Sequence, residues 1–244
     1  MVDIIRDSLA GKVAVVLGAG AGQGISTVRM FINFGAKVAM VSRSGNTYGL
    51  VESSTVKAFK ADLTNEAQVK EVRDKILQAF GQIDCVVSNV GKWESSKDPF
   101  PSKDFFDSMI NTNLYSHVSI IKYFSEPMKK NGGSIVLIGA SPGIFHGNDL
   151  SYNLSKAAVT ELARKSAESL RKYNIRVNAV LPGSVNKEDT YFKVFPFNVT
   201  KFSQSTTLEP IETAMVNVFL ASEMSIGING QAIPVDRGLN AVQK

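Results

Sequence analysis

KVAVVLGAGAGQGI, residues 12–25, decides how the chain folds. From Val13 to Leu17 every side chain is apolar and three are β-branched. A strand that presents apolar groups to both faces is covered on both, as in a parallel sheet between helical layers. Gly18, Gly22 and Gly24 then match the spacing G-x-x-x-G-x-G, whereas the stricter G-x-G-x-x-G puts Gln23 at its last position. The physics is the same for both spacings. Glycines allow a tight strand-to-helix turn, the missing side chains let the backbone approach a pyrophosphate, and the N–H groups of a helix N-terminus face the anion. Strand, turn and helix in this order predict a dinucleotide-binding βαβ unit, with Gln23 and Ile25 beside the cradle.

The alternation continues along the chain. Further strands are expected at KVAMVS (37–42), VKAFKADL (56–63), IDCVVSN (83–89), GSIVLIG (133–139), IRVNAVLP (175–182) and GQAIPVD (230–236). Helical patterns lie between them: one from Gly24 with Ile25, Val28 and Ile32 on one face, residues 65–80 opening on Thr64 as cap, 102–130 ending or bending at Pro127, 152–173, and 209–222. The segment between Arg43 and Asp62 is too short for a full crossover helix. The prediction is an α/β fold of Rossmann type: a single domain with a doubly wound, seven-stranded parallel sheet flanked by helices on both faces. Ligands of such folds sit at the carboxyl ends of the strands. Residues 184–208 have no clean period and carry Tyr191, Phe192, Phe195, Phe197 and Phe202. An irregular stretch of that length inside a domain is read as a lid over the substrate.

Composition removes several alternatives. The 244 residues carry 27 Lys and Arg against 22 Asp and Glu, net +5, with the basic residues interleaved among acids. Nucleic-acid binding through a basic patch is therefore not expected. The single cysteine, Cys85, excludes an internal disulfide and reads as a small buried hydrophobe. His117 and His146 have no partner at ligand spacing, so no metal is expected. No run approaches the ~18 apolar residues of a membrane span. MVDIIRDSLAGK at the start lacks the apolar core of a signal peptide, which places the protein in the cytoplasm.

The second strand ends on Ser42, Arg43 and Ser44, where an NAD-preferring fold carries an acid for the ribose hydroxyls. A guanidinium is a fixed fork of donors and, with two hydroxyls, suits a 2′-phosphate. These residues point to NADP, with NAD the less favoured cofactor.

Several short stretches then converge. The chain resembles the short-chain dehydrogenase/reductases over essentially its whole length. The glycine turn is similar to that family's cofactor motif, with Leu17 where threonine is usual. Ala61-Asp62-Leu63 resembles the stretch whose aspartate holds the adenine end. Ser88-Asn89-Val90-Gly91 resembles N-N-A-G, placing Asn89 and Gly91 beside the cofactor. Asn113 in NTNL matches the structural asparagine of the proton relay, and Tyr152-x-x-x-Lys156 matches the catalytic pair. Leu181-Pro182-Gly183, with Val185, resembles the turn by the nicotinamide. The resemblance implies reversible chemistry on a small-molecule carbonyl or alcohol, and a homo-oligomer, tetramer or dimer. In Val235-Asp236-Arg237-Gly238 an arginine replaces a usual glycine and is expected to alter a subunit contact.

Reducing a carbonyl needs a hydride to carbon and a proton to oxygen. Tyrosine can carry the proton, but its ordinary pKa of ~10 makes it a poor base near neutrality. An ammonium four residues on shares its helix face and is expected to lower that pKa. One member of the usual set is missing. Aligning IVLIGASPG by its strand and Gly143 puts Ala140 at the family's catalytic serine and Ser141 one residue late. Three readings stay open: Ser141 takes the role through a shifted loop, the enzyme works with a weaker oxyanion contact, or the chain is a non-catalytic NAD(P)-binding homologue serving as sensor or assembly subunit.

Overall fold

The computed structural model describes residues 8–145, 149–188 and 205–239. In chain order these form β1 (Val13–Leu17), α1 (Gln23–Asn33), β2 (Lys37–Ser42), β3 (Val56–Lys60), α2 (Glu66–Phe80), β4 (Cys85–Ser88), α3 (Lys103–Ile110), α4 (Ser116–Met128), β5 (Gly133–Ile138), α5 (Leu150–Leu170), β6 (Ile175–Pro182), β7 (Ser184–Val185), β8 (Thr207–Leu208), α6 (Pro210–Ala221) and β9 (Ala232–Val235). Seven strands make one sheet in the order β3-β2-β1-β4-β5-β6-β9, all pairings parallel. They are the seven strands expected from the sequence. The order reverses between β1 and β4, so a crevice opens beyond their carboxyl ends.

Alternation along each strand sends neighbours to opposite helical layers. Val15, Leu17, Val86 and Leu137 pack with Val72, Phe124 and Val159 of α2, α4 and α5. Ala14, Val16, Val87 and Val136 pack with Val28, Phe31 and Val218 of α1 and α6. Phe31 and Phe124 are fully buried, one in each layer. Burying such a ring contributes about 1.5–3 kcal/mol, and truncating either to alanine would destabilise the fold by about 3–5 kcal/mol.

The helix boundaries depart from expectation where side chains find other partners. The cap of α2 is Asn65, whose Oδ1 accepts from Gln68 N at 3.2 Å. Thr64 does not cap, because its hydroxyl donates to Asp62 at 2.8 Å. Pro127 lies in the last turn of α4, which ends at Met128. The real interruption of residues 102–130 comes earlier, in a π-helical turn at Asn111–Tyr115. No helix joins β2 to β3. β7 and β8 pair at the two ends of the expected lid. Its five aromatics lie outside the described residues, as does His146.

Candidate active site

The glycine turn fits a phosphate cradle. Gly18 has φ +87°, and a Cβ there would sit 2.5 Å from Asn89 O. A Cβ on Gly24 would sit 2.4 Å from Gly18 O, so only glycine lets α1 start so close to β1. The N–H groups of Ala21, Gly22, Gln23 and Gly24 donate to no described residue, although Gly22 and Gly24 are buried. α1 has no side-chain cap and no acid in its first turn. Buried, unpaired N–H groups at a helix start are what an anion satisfies. Asn89 steadies the turn, its Nδ2 donating to Gly18 O at 3.0 Å. Ile25 does not reach the cradle; it is fully buried in the α1–α6 layer.

Two clefts share Asn89, Val90, Gly91 and Lys92 along the sheet's carboxyl edge. One, of about 340 Å³, is lined by Gly18, Ser42, Arg43, Asp62 and Leu63. Ser42 Oγ accepts from Gly45 N at 3.0 Å and shapes the turn that carries Arg43. The Asp62 carboxyl is held below its usual range, first by the Thr64 N–H, then by the Thr64 hydroxyl and the Arg43 charge.

The other cleft, about 460 Å³, is lined by Gln23, Ala140, Tyr152, Lys156, Pro182, Gly183 and Val185, among others. Spacing by four on α5 puts Tyr152 and Lys156 in this one cleft. Their electrostatics differ from expectation. Lys156, 5% exposed, crosses to the strand ends, its Nζ donating to Ile138 O at 2.9 Å and to Val90 O at 3.4 Å. Burial lowers its pKa to about 8. Tyr152 is not lowered: burial, and then the Asp149 carboxylate, push it up to about 12. Its hydroxyl bonds to no described residue. The ammonium is spent on carbonyls, so it does not offset the desolvation of the phenol.

Asn113 stands behind the cleft, fully buried in the π-turn. Its Oδ1 accepts from Lys92 N at 2.7 Å, and its Nδ2 donates to Ser155 Oγ at 3.2 Å, tying the strand-end loop to α5. His117, one turn on, bonds Ser88 Oγ through Nδ1 at 2.6 Å. Burial and then Lys156 hold its pKa well below the usual value, which keeps it neutral beside the lysine. Among the described residues no cluster of His, Cys, Asp or Glu could hold a metal ion.

Ser141 is not brought to the cleft. It is fully buried, its hydroxyl donating to Asp236 and accepting from Gly143 N at 3.1 Å. Ala140, the residue before it, lines the cleft. Arg237 is occupied within the chain: its Nε donates to Glu212 Oε1 at 3.0 Å and its Nη1 to Thr207 O at 3.0 Å. The sequence reading missed Lys92, Trp93 and Lys187 as lining residues. Each lies within two residues of a motif that it did find, and nearness in sequence was the available signal.

A parallel α/β sheet with an anion cradle at its switch point and a tyrosine–lysine pair in the adjoining cleft defines a nicotinamide-dependent oxidoreductase architecture. Comparison with known proteins agrees. Residues 18–240 match the family described as enoyl-(acyl carrier protein) reductase. The chain is 32% identical over 244 residues to 3-oxoacyl-[acyl-carrier-protein] reductase FabG of Thermotoga maritima, covering 95% of this chain and 98% of that one. It is 28% identical to the 7alpha-hydroxysteroid dehydrogenase of Escherichia coli, covering 94% of each. A solved short-chain dehydrogenase/reductase from Burkholderia xenovorans superposes with TM-score 0.83 at 26% identity, covering 97% of this chain and 99% of that one. Aldohexose dehydrogenase of Thermoplasma acidophilum gives 0.82 at 27%, covering 96% and 95%. The chain belongs to the short-chain dehydrogenase/reductase family, oxidoreductases that act on CH–OH and C=O groups.

Proposed function

We propose that the protein is an NADP-dependent oxidoreductase that interconverts a small-molecule carbonyl and its alcohol, with Tyr152 as proton donor and acceptor. The observation that carries this reading is the convergence of Tyr152, Lys156 and the glycine cradle on one groove. A nicotinamide cofactor bound there supplies or takes up the hydride. Tyr152, neutral across physiological pH, donates its hydroxyl proton to the substrate oxygen in reduction and becomes a phenolate; in oxidation that phenolate, formed by loss of the proton to solvent, accepts the proton of the alcohol. Lys156, held at the strand ends, would hold the ribose of a bound cofactor, and Asn113 holds the loop beside it. Ala140 leaves the oxyanion with one donor fewer than the family pattern provides. Gly18, Gly22, Gln23 and Gly24 take the pyrophosphate, Asp62 and Leu63 the adenine end, and Pro182, Gly183 and Val185 the nicotinamide end.

The preference for NADP rests on Arg43 beside Ser42 in the adenosine cleft, with no acid at the end of β2. Arg43→Ala then weakens NADPH by about tenfold and leaves NADH unchanged. Exposed Tyr115, Val118 and Leu154 on adjoining helical segments support a homotetramer or homodimer. Among the described residues no helix is long and apolar enough to cross a membrane, which is consistent with a cytoplasmic enzyme.

A second reading, a cofactor-binding sensor or assembly subunit without turnover, draws on the Ala140 methyl and on the engagement of Ser141 with Asp236. Activity with NADPH across a panel of ketones and aldehydes separates the two. Turnover that falls about 10²–10⁴-fold in Tyr152→Phe, with NADPH binding kept, supports catalysis. Tight NADPH binding without turnover on any carbonyl supports the sensor, and a fully active Tyr152→Phe refutes the assignment.

A further inference from the structure

We propose that Lys187 is a phosphate-binding residue, its ammonium meeting the pyrophosphate of a dinucleotide seated at the start of α1. The inference rests on the nucleotide-binding reading above and adds a residue to it. The cleft of about 460 Å³ is lined by three cations and no acid: Lys92, Lys156 and Lys187. Two are already engaged. Lys92 Nζ pairs with Glu94 at 2.8 Å, and Lys156 Nζ is held by the Ile138 and Val90 carbonyls. Lys187 is exposed and forms no ion pair with any described residue.

Its backbone is fixed against the cradle. A Cβ built on Gly22 would lie 3.1 Å from Lys187 O and 3.2 Å from Asn186 O, so residues 186 and 187 pack directly on the bare face of the turn. Asn186 N donates to Leu208 O at 2.9 Å, Asn186 Oδ1 accepts from Glu188 N at 3.1 Å, and β7 pairs with β8 just before. A flexible four-carbon stem thus starts from a set point beside Ala21 and Gln23, which line the same cleft.

The cradle asks for such a charge. The open N–H groups of Ala21 to Gly24 offer partial charges only, and the first turn of α1 brings no side chain to them. A pyrophosphate carries about two negative charges into this groove. A helix N-terminus supplies roughly half a positive charge. Lys187 is the cation within the cleft whose charge is not already committed among the described residues. Because the pyrophosphate is common to both nicotinamide cofactors, Lys187 acts on NAD(H) and NADP(H) alike, unlike Arg43.

The test is equilibrium titration of the intact protein and of Lys187→Gln and Lys187→Arg with NADPH, NADH, ADP and adenosine, at low and high salt. The expected result is a loss of about tenfold for NADPH, NADH and ADP alike in Lys187→Gln, with adenosine unchanged. Lys187→Arg stays near the parent, and the loss shrinks in high salt as the charge is screened. Ligand-free melting is unchanged, since the residue is exposed. Equal affinities in parent and Lys187→Gln overturn the proposal, and so does a loss confined to NADPH, which assigns the lysine to the 2′-phosphate. A parent that binds neither cofactor overturns the nucleotide reading itself, a result distinct from a parent that binds and a variant that binds equally well.

Discussion

The Ser141 hydroxyl donates to the Asp236 carboxylate, joining the loop after β5 to the end of β9. The same loop is held by Ser141 N, which donates to Pro182 O at 2.8 Å, and Asp236 packs on Gly183, where a Cβ would come within 3.0 Å of its own. Ser141 is therefore a brace between the loop that carries Ala140 and the turn by the nicotinamide end. Ala140, which lines the cleft beside it, carries no side-chain donor.

Two substitutions separate a brace from a catalytic hydroxyl. Ala140→Ser is expected to raise kcat/KM by at least about tenfold, since a true oxyanion donor is worth about 10²–10³ in rate. Ser141→Ala is expected to leave kcat within about threefold of the parent and to lower stability by about 1–3 kcal/mol, because Asp236 loses a buried partner. Steady-state kinetics and thermal melting read both. If Ser141→Ala abolishes turnover with unchanged melting, the hydroxyl works in the site and the brace is wrong.

Lys156 is a stability liability kept in the chain. Burial lowers its pKa from 10.5 to about 8, which corresponds to roughly 3 kcal/mol against the folded state when the amine is charged. Below about pH 8 both states hold the proton and the full penalty is present. Between about 8 and 10.5 the unfolded chain holds more protons, so stability rises with pH through that window. Lys156→Met removes the charge at similar volume but loses two bonds to carbonyls. A net gain of about 1–2 kcal/mol, a rise in Tm of roughly 2–8 °C, is expected at neutral pH with activity lost. A lower Tm would show that the two carbonyl bonds outweigh the desolvation.

How much of this was legible beforehand varies with how local the cause is. The seven strands were readable because each is a short apolar run bounded by turn residues, and the parallel order follows from their alternation with helices. Tyr152 and Lys156 were readable because their place in one cleft depends on helical spacing. The target of the lysine was not, since Ile138 ends β5, Val90 follows β4, and backbone carbonyls leave no mark in a sequence. Nor was the break at Asn111–Tyr115, which contains neither glycine nor proline. The partners of Arg237 were hidden for a similar reason, because Glu212 and Thr207 meet it only in the folded chain.

Asp149 adds to the effect of burial on the alkaline behaviour of the tyrosine. Its carboxylate accepts from Trp93 Nε1 at 2.9 Å at the cleft rim and, after burial, is the second cause of the raised Tyr152 pKa. Alcohol oxidation needs the phenolate, so its rate should climb about tenfold per pH unit while the phenol is mostly protonated. Asp149→Asn keeps an acceptor for Trp93 and removes the charge. The Tyr152 pKa then falls, and the rise in oxidation rate begins at lower pH, with kcat/KM in oxidation higher than the parent's at a fixed pH of 8. An unchanged pH profile would mean that the carboxylate does not act on Tyr152.

Gly91 tests whether catalysis depends on where the Lys156 head sits. A Cβ on Gly91 would lie 2.7 Å from Lys156 Nζ and 3.1 Å from Asn113 Oδ1. Its φ lies outside the left-handed region, so alanine is free of backbone strain there, and the clash falls on the tip of a flexible side chain. The lysine head is the part that gives way. Gly91→Ala should therefore fold normally, with melting close to the parent, while Lys156 leaves the Ile138 and Val90 carbonyls. Displacing a group proposed to position the cofactor by about an ångström is expected to lower kcat by about 10²-fold. Melting and kinetics on the same preparation decide it: a large drop in both would indict the fold, and full activity would show that the lysine works from more than one position.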